Sequence, residues 1–293
     1  PDMESDSPTA TPPSSMCHKA SAFAEPLLQN ARLDSGESEL AHAQGTVAIL
    51  QMLEASDDLQ AAVYLSAAAK YLKKPKEVLT KSFGPQLSSL AMEAHELMQL
   101  QRQTVQVALA NPGGHGTSAQ TENIRRMLLA FSRDVRVVLL RLASRLQTLR
   151  HFAASKQPVP RALARESLHV FAPLANRLGI WQIKWELEDL AFRFLEPDTY
   201  KQVARWLDEK RIEREVYIEQ LRDQVQQGLR AQSIVAEVQG RPKHIYSIVK
   251  KMRGKSLDFD RVFDVRALRV VVPTVTDCYG ALSWIHDHFS AVN

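Results

Sequence analysis

Residues Ile234 to Val272 read I-V-A-E-V-Q-G-R-P-K-H-I-Y-S-I-V-K-K-M-R-G-K-S-L-D-F-D-R-V-F-D-V-R-A-L-R-V-V-V, and the pattern predicts two strands with a basic helix between them. Ile234 to Val238 alternates as a half-buried strand does, and Gly240 supplies a turn. Pro242 can open the helix that follows. On that helix Lys243, Ser247 and Lys251 fall at i, i+4 and i+8 and share one face, while Ile245, Ile248 and Met252 take the other. A helix N-terminus favours an anion, and Arg241 adds a forked donor just before it, so the column suits a polyphosphate. Phe263 to Val272 is rich in β-branched residues and reads as the second strand. On it Asp264 is the acidic residue that can hold Mg²⁺, with Arg266 on the same face. The plainer alternative is a solvated basic face and an aspartate paired with an arginine.

Around this stretch, 293 residues with 45% apolar content suffice for two soluble globular domains. A net charge of +4 is mildly basic, with the excess in Lys243 to Arg269, which attracts nucleotide or nucleic acid without telling which. No run approaches the roughly eighteen apolar residues of a membrane span, and no leader pattern opens the chain, so it reads as cytoplasmic with no membrane partner. Cys17 and Cys278 imply neither a disulfide framework nor a metal site. The chain starts at Pro1 without a methionine and stops soon after a helix from Thr276, as a piece of a longer protein would.

Upstream of the strand–helix–strand stretch, the periodicity is helical throughout. The opening Pro, Ser and Thr mixture predicts a disordered tail over residues 1–30. Helical spacing then runs over Leu40 to Leu53, Leu59 to Leu72, Lys76 to Phe83, Pro85 to Ala110, Ala119 to Phe131, Val135 to Ala153, Pro160 to Phe171 and Ile180 to Phe194. A glycine-rich loop at Asn111 to Ser118 interrupts it. Trp181 and Trp185, one turn apart, suggest a packing ridge. Asp198 to Arg230 reads as one long helix that bridges domains, its stripe formed by Trp206, Leu207, Ile212, Val216, Ile218 and Leu221.

Four strings carry a family resemblance: A-P-L-A-N-R-L-G-I at Ala172 to Ile180, K-W-E-L-E-D-L at Lys184 to Leu190, G-R-P-K-H-I-Y-S-I at Gly240 to Ile248, and F-D-V-R-A-L-R at Phe263 to Arg269. Through them the chain, from about Leu168 to His286, resembles the RelA/SpoT family, enzymes that make or destroy guanosine tetra- and pentaphosphate. The resemblance implies a mainly α protein: a helical HD-like domain at 31–196, a connecting helix at 197–231, and at 232–293 the truncated start of an α/β nucleotidyltransferase-like synthetase domain. That synthetase transfers pyrophosphate from ATP to the 3′-hydroxyl of GDP or GTP. Arg241, Lys243, Ser247 and Lys251 would hold ATP and Asp264 the Mg²⁺, while the second catalytic carboxylate would lie past Asn293. Ribosome and tRNA would be partners through regions outside this chain.

The same resemblance implies a degraded hydrolase. In the family an early His, a His-Asp pair and a later Asp hold Mn²⁺, and an acidic pair serves the attacking water. F-G-P at Phe83 to Pro85, R-L-A-S-R-L at Arg141 to Leu146 and S-G-E at Ser35 to Glu37 set the frame. His42 keeps the first position, but the His-Asp pair falls on Ser66 and Ala67 and the last aspartate on Ser144. The acidic pair falls on Lys70 and Tyr71, and a later His-Asn pair on Gln147 and Thr148. A hydroxyl is a poor ligand for a divalent ion and one imidazole cannot hold it alone, so no Mn²⁺ is expected in the helical domain. An RNA- or nucleotide-binding regulatory module without catalysis is the alternative from a different class.

Overall fold

The computed structural model describes residues 15–110, 122, 124–127, 129–130, 133–241, 244–259 and 267–290. The chain divides into two compact units, Pro1–Ala191 and Phe192–Asn293. The first is helical among its described residues. Helix α1 spans Met16–Leu28, α2 Glu39–Met52, α3 Asp57–Ala68, α4 Pro75–Phe83, α5 Pro85–Ala110 and α6 Val135–Ser155. Serine side chains accept the early backbone N–H groups of three of them: Ser15 for α1, Ser38 for α2 and Ser56 for α3. Gly84, at φ +87°, separates α4 from α5, where a left-handed backbone suits glycine.

The expected disordered tail is corrected from residue 15 onward. Helix α1 packs on α3 and buries Ala20, Ala24 and Leu28 completely, and Asp57 accepts from the Met16 N–H at 2.7 Å. Alanines at i and i+4, Ala20 and Ala24, let its backbone lie close against α3, with Leu28 one turn on filling the core, a signal that the Pro and Ser content upstream obscures. The pattern over Pro160 to Phe171 resolves into α7 (Arg161–Glu166), a π-helical turn (Ser167–Phe171) and α8 (Ala172–Arg177). Glu166 and Ser167, at that junction, accept from the buried Arg145 guanidinium at 2.7 and 3.1 Å, and Arg145 lies over the Phe171 ring. Helix α9 spans Trp181–Leu195. Trp181 is 57% exposed, so the tryptophan ridge does not form as expected.

The second unit begins at Phe192, so the segment expected as a separate connector belongs to it. That segment is two helices, α10 (Pro197–Glu209) and α11 (Arg211–Ala231), broken at Lys210. The break lets two apolar stripes enter different cores. Val203, with Tyr200, Trp206 and Leu207, joins Phe192, Ile248, Val249 and Phe259, whereas Val225 and Leu229 join Ile234, Val238, Ala281 and Trp284. Ile212 and Val216, expected in the stripe, are 72% and 50% exposed.

Strand β1 spans Glu237–Arg241 and pairs antiparallel with β2, Ala267–Val271, so that Gly240 faces Leu268. The first strand thus starts later than the alternation suggested, and Gly240 is a strand residue rather than a turn. A Cβ on Gly240 would lie 2.9 Å from Ile218 Cγ2, so the glycine admits α11 against the strand. Helix α12 spans Ile245–Lys255 and α13 Val275–His288. Among the described residues no helix is long and apolar enough to cross a membrane.

Candidate functional site

Of the positions that the resemblance assigns to a hydrolase site, His42, Ser144 and Gln147 gather where the start of α2 meets α6. Gly36, at φ +81°, closes a turn in which its N–H donates to Leu33 O at 2.9 Å. That turn carries Glu37 and, at the helix start, Glu39 inward, each 4% exposed. Gly45 on α2 lets the helices approach, because a Cβ there would fall 2.3 Å from the Gln147 side chain.

Two carboxylates then organise the polar groups. Glu37 Oε2 is 2.9 Å from His42 Nδ1, Glu37 Oε1 accepts from Gln147 Nε2 at 2.9 Å, and His42 Nε2 lies 2.9 Å from Ser144 Oγ. Ser144 Oγ also accepts from Arg141, whose Nε donates to Gln101 Oε1 at 2.9 Å. Burial pushes the Glu37 carboxyl up, but the hydrogen bonds from His42 and Gln147 and the charges of His42 and His151 outweigh it and hold it below the ordinary value. Arg141 is lowered to about 10, chiefly by burial and then by the Arg145 charge. The second carboxylate, Glu39, binds Lys70 Nζ at 2.6 Å and accepts from the Tyr71 hydroxyl.

The structure therefore brings His42, Ser144 and Gln147 into one network and Lys70 and Tyr71 into another. Ser66 is buried and donates to Val63 O at 3.0 Å, Ala67 sits half-buried on α3, and Thr148 donates to Ser144 O at 3.1 Å. These residues do not fit a Mn²⁺ ion. Both ring nitrogens of His42 are engaged by protein groups, and among the described residues no three His, Cys, Asp or Glu side chains cluster to hold a metal. The sequence reading missed the parts played by Glu37, Glu39, Arg141 and Gln101. Glu37 was visible in the S-G-E string, but its partner Gln147 is 110 residues away.

In the second unit, α12 buries Ile248 and Val249 and leaves Ser247 and Lys251 half-buried one turn apart on another face. The helix starts at Ile245 with His244 as its extended N-cap, so Lys243 precedes it. Arg253 makes two hydrogen bonds to Glu196, at 2.8 and 2.9 Å, which tie α12 to the residue after α9. The Arg241 backbone lies in β1 opposite Ala267. Its side chain, Lys243, Asp264 and Arg266 lie outside the described residues, as do most of Asn111 to Phe131.

A family profile described as "HD domain" matches residues 20–181, and one described as "Region found in RelA / SpoT proteins" matches residues 240–293. This chain belongs to the RelA/SpoT family. Among RelA/SpoT relatives, a GTP pyrophosphokinase of Photobacterium angustum is 53% identical over 59% of this chain and 23% of its own length. The GTP pyrophosphokinase of Escherichia coli K12 is 40% identical over 83% of the chain and 32% of its own length. A probable guanosine-3′,5′-bis(diphosphate) 3′-pyrophosphohydrolase of Synechocystis is 36% identical over 99% of the chain and 37% of its own length. The chain thus spans between 23% and 37% of these relatives.

Proposed function

We propose that the protein to which this chain contributes is a GTP pyrophosphokinase that moves pyrophosphate from ATP to the 3′-hydroxyl of GDP or GTP, with a helical domain that does not remove it. The observation that carries the second half is the His42–Ser144 hydrogen bond of 2.9 Å: at two positions where the family places metal ligands, the side chains satisfy each other. Lys70, held on Glu39, puts a cation where a carboxylate serves the attacking water. For the first half, two of the relatives carry the name GTP pyrophosphokinase, and residues 240–293 match the RelA/SpoT region.

On this reading Arg241, Lys243, Ser247 and Lys251 bind the ATP phosphates, and Asp264 holds the Mg²⁺ that neutralises charge on the transferred group. These are donor-side groups alone, so residues 1–293 in isolation are expected to make no alarmone. The Synechocystis relative, named a hydrolase and matched over 99% of this chain, favours a second reading in which the helical domain hydrolyses the alarmone.

The full-length protein separates these readings. Supplied with ATP, GDP or GTP and Mg²⁺, it should form the 3′-pyrophosphorylated nucleotide. Supplied with that nucleotide and Mn²⁺, it should release no pyrophosphate. Manganese-dependent release would establish the hydrolase reading, and nucleotide binding without synthesis would leave a regulatory module.

A further inference from the structure

We propose that Glu37, His42 and Ser144 form a serine-nucleophile triad, which gives the helical unit a metal-independent activity toward small carboxylic esters. The distances are those such chemistry needs. Ser144 Oγ is 2.9 Å from His42 Nε2, and His42 Nδ1 is 2.9 Å from Glu37 Oε2, so nucleophile, base and orienting carboxylate are connected in order. A carboxylate can only accept, so the proton of a neutral imidazole sits on Nδ1 and leaves Nε2 to accept from the serine hydroxyl. Glu37 is in turn held by Gln147 at 2.9 Å, which limits rotation of the orienting group.

Stabilising groups for an oxyanion stand on the other side of the serine. Arg141 Nη1 is 3.3 Å from Ser144 Oγ, and Arg141, itself 6% exposed, has no carboxylate hydrogen-bonded to it among the described residues. Gln101, bonded to Arg141 through its oxygen, keeps a buried Nε2 with no hydrogen-bond acceptor among the described residues. A buried guanidinium beside the hydroxyl, held in place by Gln101, favours negative charge developing there. Ser144 is 6% exposed and the His42 side chain 14%, so the hydroxyl admits at most a small acyl group, as in an acetyl ester.

The reaction balances without oxidant or metal. Ser144 Oγ attacks the carbonyl carbon as its proton passes to His42 Nε2, and the tetrahedral oxyanion faces Arg141. Collapse breaks the ester C–O bond, the leaving alkoxide takes the proton from His42, and the acyl group remains on Ser144. Water, deprotonated by the same nitrogen, then releases the carboxylic acid and restores the hydroxyl. Neither step uses the synthetase residues, and the inference rests on the part of the reading above in which His42 and Ser144 bond each other rather than a metal.

The test is to incubate the whole chain with p-nitrophenyl acetate in the presence of a chelator, follow p-nitrophenolate release, and map acetylation by peptide mass spectrometry. The expected result is acetyl-Ser144 in the wild-type chain, none at that peptide in Ser144→Ala, and acylation slower by roughly 10² to 10⁴ in His42→Gln. Wild-type protein that acquires acetyl groups on lysines alone would overturn the proposal without recourse to any variant. So would an unchanged rate in a Ser144→Ala chain that keeps its helical circular dichroism.

Discussion

Lys70 places its ammonium 2.6 Å from Glu39 Oε1, and the adjacent Tyr71 donates its hydroxyl to the other oxygen of the same carboxylate. Two consecutive residues thus satisfy a side chain that is only 5% exposed. Removing the cation leaves that carboxylate desolvated and without its ion partner. Because Lys70 is itself 28% exposed, water can compensate in part. Lys70→Ala is therefore expected to cost about 1 to 3 kcal/mol in urea unfolding, less than removal of a fully buried partner. A loss within about 0.5 kcal/mol would place the pair among ordinary surface contacts.

Two groups contribute at opposite ends of the pH profile. Glu37 titrates below its ordinary value in the folded chain, because its hydrogen bonds and neighbouring charges outweigh burial. Such a group contributes stability above its unfolded value of about 4.3 and loses it as pH falls through the folded value, so Glu37→Gln should flatten the acid limb below about pH 5. Tyr71 is pushed up to about 12, first by burial and then by the Glu39 hydrogen bond and charge. Its contribution is present below about pH 10 and declines as pH rises through the folded value, so Tyr71→Phe should remove that alkaline slope. Thermal unfolding across pH reads both, and identical curves for variant and parent would refute the assignments.

Gly228 on α11 lies under Trp284 on α13, and a Cβ there would fall 1.8 Å from Trp284 Cζ2. Trp284 is confined, since it stacks on His288 at 4.2 Å between centroids and is 9% exposed. Gly228→Ala raises helix propensity, yet the overlap should outweigh that gain and destabilise the second unit by about 1 to 3 kcal/mol. A shift in tryptophan emission should accompany the loss. Stabilisation instead would mean that Trp284 has another rotamer at little cost.

Lys251 shares the half-buried face of α12 with Ser247. If that face holds the donor triphosphate, Lys251→Ala in the full-length protein should weaken ATP binding or rate roughly ten- to a hundredfold, the equivalent of about 1.5 to 3 kcal/mol. Steady-state synthesis at varied ATP measures it, and an unchanged rate would return the lysine to a solvated face.

What the sequence by itself determined is local. The apolar spacing marked α2 to within a residue of Glu39–Met52, and α5 begins and ends where its pattern does. The long matched strings were enough for the family. That Ser66 and Ser144 are poor ligands for a divalent ion, and Ala67 none, follows from residue chemistry alone. Only the tertiary structure decided what took over. His42 and Ser144 are 102 residues apart and Glu37 and Gln147 are 110 apart, and no periodicity links residues so distant. The same holds for Lys70 on Glu39, for the turn at Lys210 between two separate cores, and for Gly240 as a strand residue. In each case burial left a polar group in need of a partner or brought two elements close, and a neighbouring element, rather than neighbouring sequence, met the requirement.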